Sequence, residues 1–76
     1  MSVEGLTGFA GAVQEAVAAV LDAVVAVGEE RRGHMKKAKL AVAKALHDAQ
    51  NGEEWFLAEH IRRGIKDVEA RTRDAA

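Results

Sequence analysis

Three histidines are the first residues to question. His34, His47 and His60 recur at intervals of 13 residues. Imidazole is the commonest protein metal ligand and the side chain that titrates nearest neutrality. A metal site built on helices needs donors about one turn apart, as in H-x-x-x-H or the E-x-x-H of di-iron bundles. Neither pattern occurs, and a step of 13 puts no two histidines on one face of one helix. Glu30 and His34 stand four apart, a spacing that chelates only weakly. The hydroxyls are Ser2, Thr7 and Thr72, all near the ends of the chain or of its helices. None has a base beside it, and there is no P-loop. The expectation is a chain that is not an enzyme and that holds no metal and no cofactor.

The second chemical feature is a basic run. Arg31, Arg32, Lys36, Lys37, Lys39 and Lys44 follow one another with no acid between them. Such a run suits phosphate or an acidic protein surface. Nucleic-acid grooves gather their charges on one helix face, whereas these lysines spread over more than half a helical wheel with no aromatic interleaved. A solvated helix is the plainer reading. Net charge is −1 and gives no global pull toward nucleic acid or membrane.

The elements that hold these residues read as helices. There is no proline and no cysteine, and 49% of the 76 residues are hydrophobic against 4% aromatic. One all-α domain with a light core follows, in a reducing, cytoplasmic setting. The stretch Phe9 to Val27 dominates it, with Gln14, Glu15 and Asp22 as its only strongly polar residues. Two seams run along that stretch. Ala12, Ala16, Ala19, Ala23 and Ala26 recur at spacings of 4, 3, 4, 3, and Val13, Val17, Val20, Val24 and Val27 repeat them one residue later. The Val seam is expected to face the chain's own core. The Ala seam is expected to admit a second copy, because small side chains let helix backbones come close. Membrane insertion is disfavoured, since a carboxylate near mid-bilayer costs roughly 2.5–3.5 kcal/mol. A signal peptide is disfavoured too, because Met1–Leu6 carries Glu4 and no base.

Around that helix the chain breaks at glycines. Gly5, Gly8 and Gly11 precede it without the strand that a dinucleotide fingerprint needs, and Thr7 is a candidate N-cap. Gly28 and Gly33 each suit a break, although Glu29 to Arg32 are good helix formers. The helices are expected at about 8–27, 34–50 and 53–72, in up-down-up order. The second has a stripe of Met35, Ala38, Val42, Ala45, Leu46 and Ala49, with Leu40 on the polar side. Asn51-Gly52 reads as a turn, with Glu53 and Glu54 in the next helix's first turn. The third has a stripe of Leu57, Ala58, Ile61, Gly64, Ile65 and Val68. Glu59 with Arg63, Asp67 with Arg71, and Glu69 with Arg73 suit i,i+4 pairing. Trp55 suits a bundle cap, and Phe56, sharing a face with His60 and Arg63, suits a partner contact.

Two segments, ERRGHMKKAKLAVAKAL and NGEEWFLAEHIRRGIKDVE, resemble the helical domain of the bacterial tRNA-modification GTPases, the MnmE/TrmE family. The matching residues are Arg31, Arg32 and His34, then Glu54, Leu57, Ala58, Glu59, Ile61 and Arg62. GLTGFAGAVQEAV is similar to the last helix of that family's GTPase domain, and the likeness spans some 60 residues. The P-loop, the folate-binding domain and the C-terminal cysteine motif are missing, so the resemblance implies a detached helical scaffold and brings over no catalytic residue. The expected function is therefore a non-catalytic interaction or adaptor module, a homodimer or larger bundle. A nucleic-acid-associated helical protein is the alternative.

Overall fold

The computed structural model describes residues 8–74, with side chains to Thr72. Three helices run through them: α1 Gly8–Val25, α2 Gly28–Asp48 and α3 Gly52–Asp74. They are joined by short links, so each helix is antiparallel to the one before, and no strand occurs among the described residues. The all-α, up-down-up architecture is as expected. Gly5 and Thr7, the candidate N-terminal break and cap, lie outside the described residues.

The first two helices differ from expectation at their junction. α1 stops at Val25 rather than Val27, and α2 starts at Gly28 rather than His34. Gly28 has φ +60°, the left-handed region where a side chain is disfavoured, and so makes the reversal. Val27 before it is extended and makes no side-chain cap. Glu29 and Glu30 then occupy the first turn of α2, where carboxylates complement the helix dipole. That is enough to carry the helix through Gly33 at modest cost. The α2–α3 link falls at Asn51-Gly52, where a turn is expected, and it also caps α3. Asn51 Oδ1 accepts from the Glu54 N–H at 2.9 Å, and Glu54 Oε1 accepts from the Gln50 N–H at 2.9 Å. This reciprocal pair is a capping box shifted by one residue.

The core is made of small side chains. Among the described residues twelve apolar side chains are buried, and nine of them are alanine; the others are Met35, Val42 and Ile65. One cluster joins Ala16, Ala19 and Ala23 of α1 to Met35, Ala38, Ala41 and Val42 of α2 and Ile65 of α3. A second joins Ala12, Ala45 and Ala58 at the other end. The Ala seam of α1 is thus the seam that meets α2, and the expectation that it faces a second copy is corrected. Ala12, Ala16, Ala19, Ala23 and Ala26 are all buried within one chain, at 0–8% exposure. The reason lies on α2. Its inward stripe is also alanine-rich, so alanine against alanine lets the two helices lie close. Turning α1 by one residue, about 100°, would set valines there and hold the backbones apart.

Of the Val seam, Val13 and Val20 are half-buried against the two core clusters, while Val17, Val24 and Val27 are exposed. Of the α2 stripe, Met35, Ala38, Val42 and Ala45 are buried with Ala41 added, while Leu46 is half-buried and Ala49 lies just past the helix end, also half-buried. The α3 stripe is inward only in part: Ala58 and Ile65 are buried, Ile61 and Val68 half-buried, Leu57 and Gly64 exposed. α3 leans mainly on α2 and touches α1 sparingly.

Candidate functional site

Helix periodicity and burial together place a second face on α1. Ala10, Gln14, Val17, Leu21 and Val24 recur at spacings of 4, 3, 4, 3, and all five are exposed. They lie opposite Ala12, Ala16, Ala19 and Ala23 on the wheel. Val25, at 84% exposure, adjoins them, and Leu21 is 63% exposed. From Ala10 to Val25 this face carries no charge. Glu15 and Asp22, the only charges on α1, sit off to one side, roughly 120° from its centre. Sequence reasoning missed this stripe because grouping the valines alone mixes half-buried Val13 and Val20 with exposed Val17 and Val24. The 4, 3, 4, 3 spacing from Ala10 to Val24 was the signal available.

The partner-contact residues expected on α3 are where their spacing puts them. Phe56, His60 and Arg63 are all exposed, on the side opposite Ala58 and Ile65. Phe56 is 70% exposed and packs edge-on to Trp55, with ring centroids 5.5 Å apart. Trp55 itself is 46% exposed and so covers the bundle end only in part.

Four residues of the basic run, Arg31, Arg32, Lys36 and Lys39, gather at one cavity, but three of them already have partners. The Arg31 Nε–H donates to the Ala23 carbonyl at 3.2 Å, tying α2 back to α1. Arg32 lies 3.9 Å from Glu29, and Lys39 pairs with Glu69 of α3. A cavity of about 420 Å³ opens between the start of α2 and the end of α3, lined by Arg31, Arg32, Lys36, Lys39, Glu69 and Thr72. The Thr72 hydroxyl there already serves the helix backbone, at 2.9 Å from the Val68 carbonyl and 3.1 Å from that of Glu69. Only Lys36 is left uncommitted in that cavity among the described residues. Lys37 and Lys44 point elsewhere on the wheel, and both are exposed.

On α3, half-buried Glu59 receives the Arg62 Nε–H at 2.8 Å and lies 3.6 Å from Arg63. The hydrogen bond from Arg62 is the main reason that the Glu59 carboxyl is held below its ordinary range, with the charges of Arg62 and Arg63 adding to it and burial opposing. Asp67 and Arg71 pair at 3.1 Å as their spacing suggests. Arg73, the expected partner of Glu69, has its side chain outside those described. The histidines stay apart: His47 Nδ1 is 3.2 Å from Asp48 Oδ1, and His60 is exposed on α3. No three metal-binding side chains gather among the described residues.

No family model matches the chain, and no curated protein or solved structure does either. The likeness to the tRNA-modification GTPases therefore rests on the quoted residues alone.

Proposed function

We propose that this chain is a non-catalytic helical interaction module that acts as a self-associated assembly, with α1 as the element through which copies meet. The supporting observation is that small side chains are inside and large ones outside. Nine of the twelve core residues among those described are alanine, while Val17, Leu21, Val24 and Val25 of α1 are 42–84% exposed. A buried methyl or methylene is worth about 0.8 kcal/mol, and an alanine brings one. Chains this short are marginal without a staple, and this one has no cysteine to cross-link. Covering the outward face of α1 with a second copy supplies the missing burial.

A bilayer is the other apolar environment to weigh. α1 is long and apolar enough to cross one by length and composition, and only 22% of it is buried inside the chain. Against a bilayer stand Glu15 and Asp22 within the span and the lack of any basic residue on α1 to meet anionic headgroups. On this reading the assembly is cytoplasmic, and the exposed face of Phe56, His60 and Arg63 is left for a protein partner. Light scattering during size-exclusion chromatography tests the proposal. A dimer or larger species is expected at tens of micromolar, and a monomer at high micromolar concentration would sink it.

A further inference from the structure

The outward side of α1 continues onto α3. Val20 of α1 and Ile61 and Val68 of α3 are half-buried against one core cluster that all three helices share, and so border the side of the bundle where α1 and α3 come together. Just outside them, one helical step away on each side, lie Val17 and Val24 on α1 and Leu57 and Gly64 on α3. Val17 is 42%, Val24 54% and Leu57 47% exposed. The result is a shallow trough with apolar walls and no charged residue among the seven just named. From Leu57 to Val68 its α3 wall is about 17 Å long, and the charge-free face of α1 is about 22 Å long.

Gly64 gives the trough its most telling feature. It lies in the middle of a 23-residue helix, where glycine is weaker than alanine. Nothing inside the chain calls for it. Leaving aside its chain neighbours and its own helix backbone, a Cβ placed on Gly64 would meet nothing within 4 Å. A small residue between Leu57, Ile61 and Val68 makes a notch where another helix backbone can approach.

We propose that the α1–α3 trough is the seat for α1 of a second copy, with Gly64 at the point of closest approach. The inference rests on the self-association reading and adds to it a place and a partner element. The trough needs an occupant that is helical, apolar along about three turns and without charge on the contacting side. The outward face of α1 has those properties, and by two-fold symmetry each copy offers both the ridge and the trough. Seated there, Glu15 and Asp22 remain turned toward solvent, so no like charges are buried.

The test uses the full chain with two kinds of variant. Gly64→Leu fills the notch and is expected to weaken self-association at least tenfold in sedimentation equilibrium, while circular dichroism of the dilute protein is unchanged. Gly33→Leu, on the exposed side of α2 away from the trough, is the control and should leave association as it was. Cysteine variants guard against a folding effect, because the chain has no cysteine of its own. Leu21→Cys mixed with Gly64→Cys should give mixed dimers with a short bismaleimide, and Leu21→Cys mixed with Gly33→Cys should not. If Leu21→Glu dissociates the assembly but Gly64→Leu and the cross-linking do not respond, copies meet elsewhere and the trough is wrong, although self-association stands. A wild-type monomer overturns both, and a monomer that partitions into phosphatidylcholine vesicles assigns the face to a bilayer instead.

Discussion

Two glutamates placed two residues apart on α1 separate the inside of this helix from its outside. Leu21→Glu alters a side chain that is 63% exposed. Leucine and glutamate have similar helix propensity, so the isolated chain should keep its fold within about 0.5 kcal/mol. In the proposed assembly Leu21 would be covered. Full burial of a leucine is worth about 1.5–3 kcal/mol, and scaling by the exposed share leaves ~1–2 kcal/mol per copy. In a two-fold dimer both copies lose it, so association weakens by ~2–4 kcal/mol, or roughly 30- to 700-fold at 1.4 kcal/mol per decade. Ala19→Glu alters a side chain that is 2% exposed, against α2. It buries an unpaired carboxylate, at a cost of about 3–5 kcal/mol before any steric clash. A 76-residue domain has about 4–11 kcal/mol in all. Leu21→Glu should therefore yield a folded monomer, and Ala19→Glu an unfolded or barely folded chain. Circular dichroism melts at two concentrations, together with light scattering, read both outcomes. A folded, monomeric Ala19→Glu beside an assembled Leu21→Glu would refute the burial of the Ala seam and the use of the outer one.

Three further changes probe the frame that holds these faces. Asn51→Ala removes the acceptor for the Glu54 N–H and should cost ~1 kcal/mol in urea unfolding, with the midpoint shifted at constant slope. Gly28→Ala forces a side chain to φ +60° and should cost ~1–2 kcal/mol, whereas Gly33→Ala, in mid-helix with no neighbour within 4 Å, should raise stability by up to ~1 kcal/mol; thermal melts compare the two. Glu59 has a depressed carboxyl pKa through its hydrogen bond from Arg62, so its contribution is fully present above the ordinary carboxylate range and is lost as pH falls through the depressed value. Glu59→Gln should remove that part of the acid dependence, so that its unfolding midpoint changes less than the wild type's between neutral and strongly acidic pH.

The helices were legible in the sequence because local chemistry writes them: three apolar stripes, Asn51-Gly52 between two of them, and Glu53 and Glu54 at the first turn of α3. The burial of Met35, Ala38, Val42 and Ala45 followed from spacing alone. Two things did not. Gly28 and Gly33 look alike as breaks, and the difference is that Glu29 and Glu30 directly follow Gly28 and suit a first turn. The second is which seam of α1 faces inward. Ala and Val seams have the same period and are one residue out of phase, so periodicity cannot rank them. The choice belongs to the facing helix. Ala38, Ala41 and Ala45 of α2 form a flat surface that accepts another flat surface at short range. That is a tertiary property, visible only once both helices are considered as a pair.

The inward turn of the alanines changes what self-association through α1 would mean. An interface of alanines would join copies by close backbone approach and little buried area. An interface of Val17, Leu21 and Val24 against Leu57 and Gly64 buries larger side chains, and it does so next to Val20, Ile61 and Val68, which already belong to the core. The same contact would then cover the outer row and complete the burial of the half-covered one. Folding and assembly become coupled through those three residues, since stability gained by one copy depends on the presence of the other. A chain with an alanine core gains from this arrangement twice. Its helices lie close enough to fold with few large side chains, and in the proposed assembly the larger ones that remain would specify where the next copy sits.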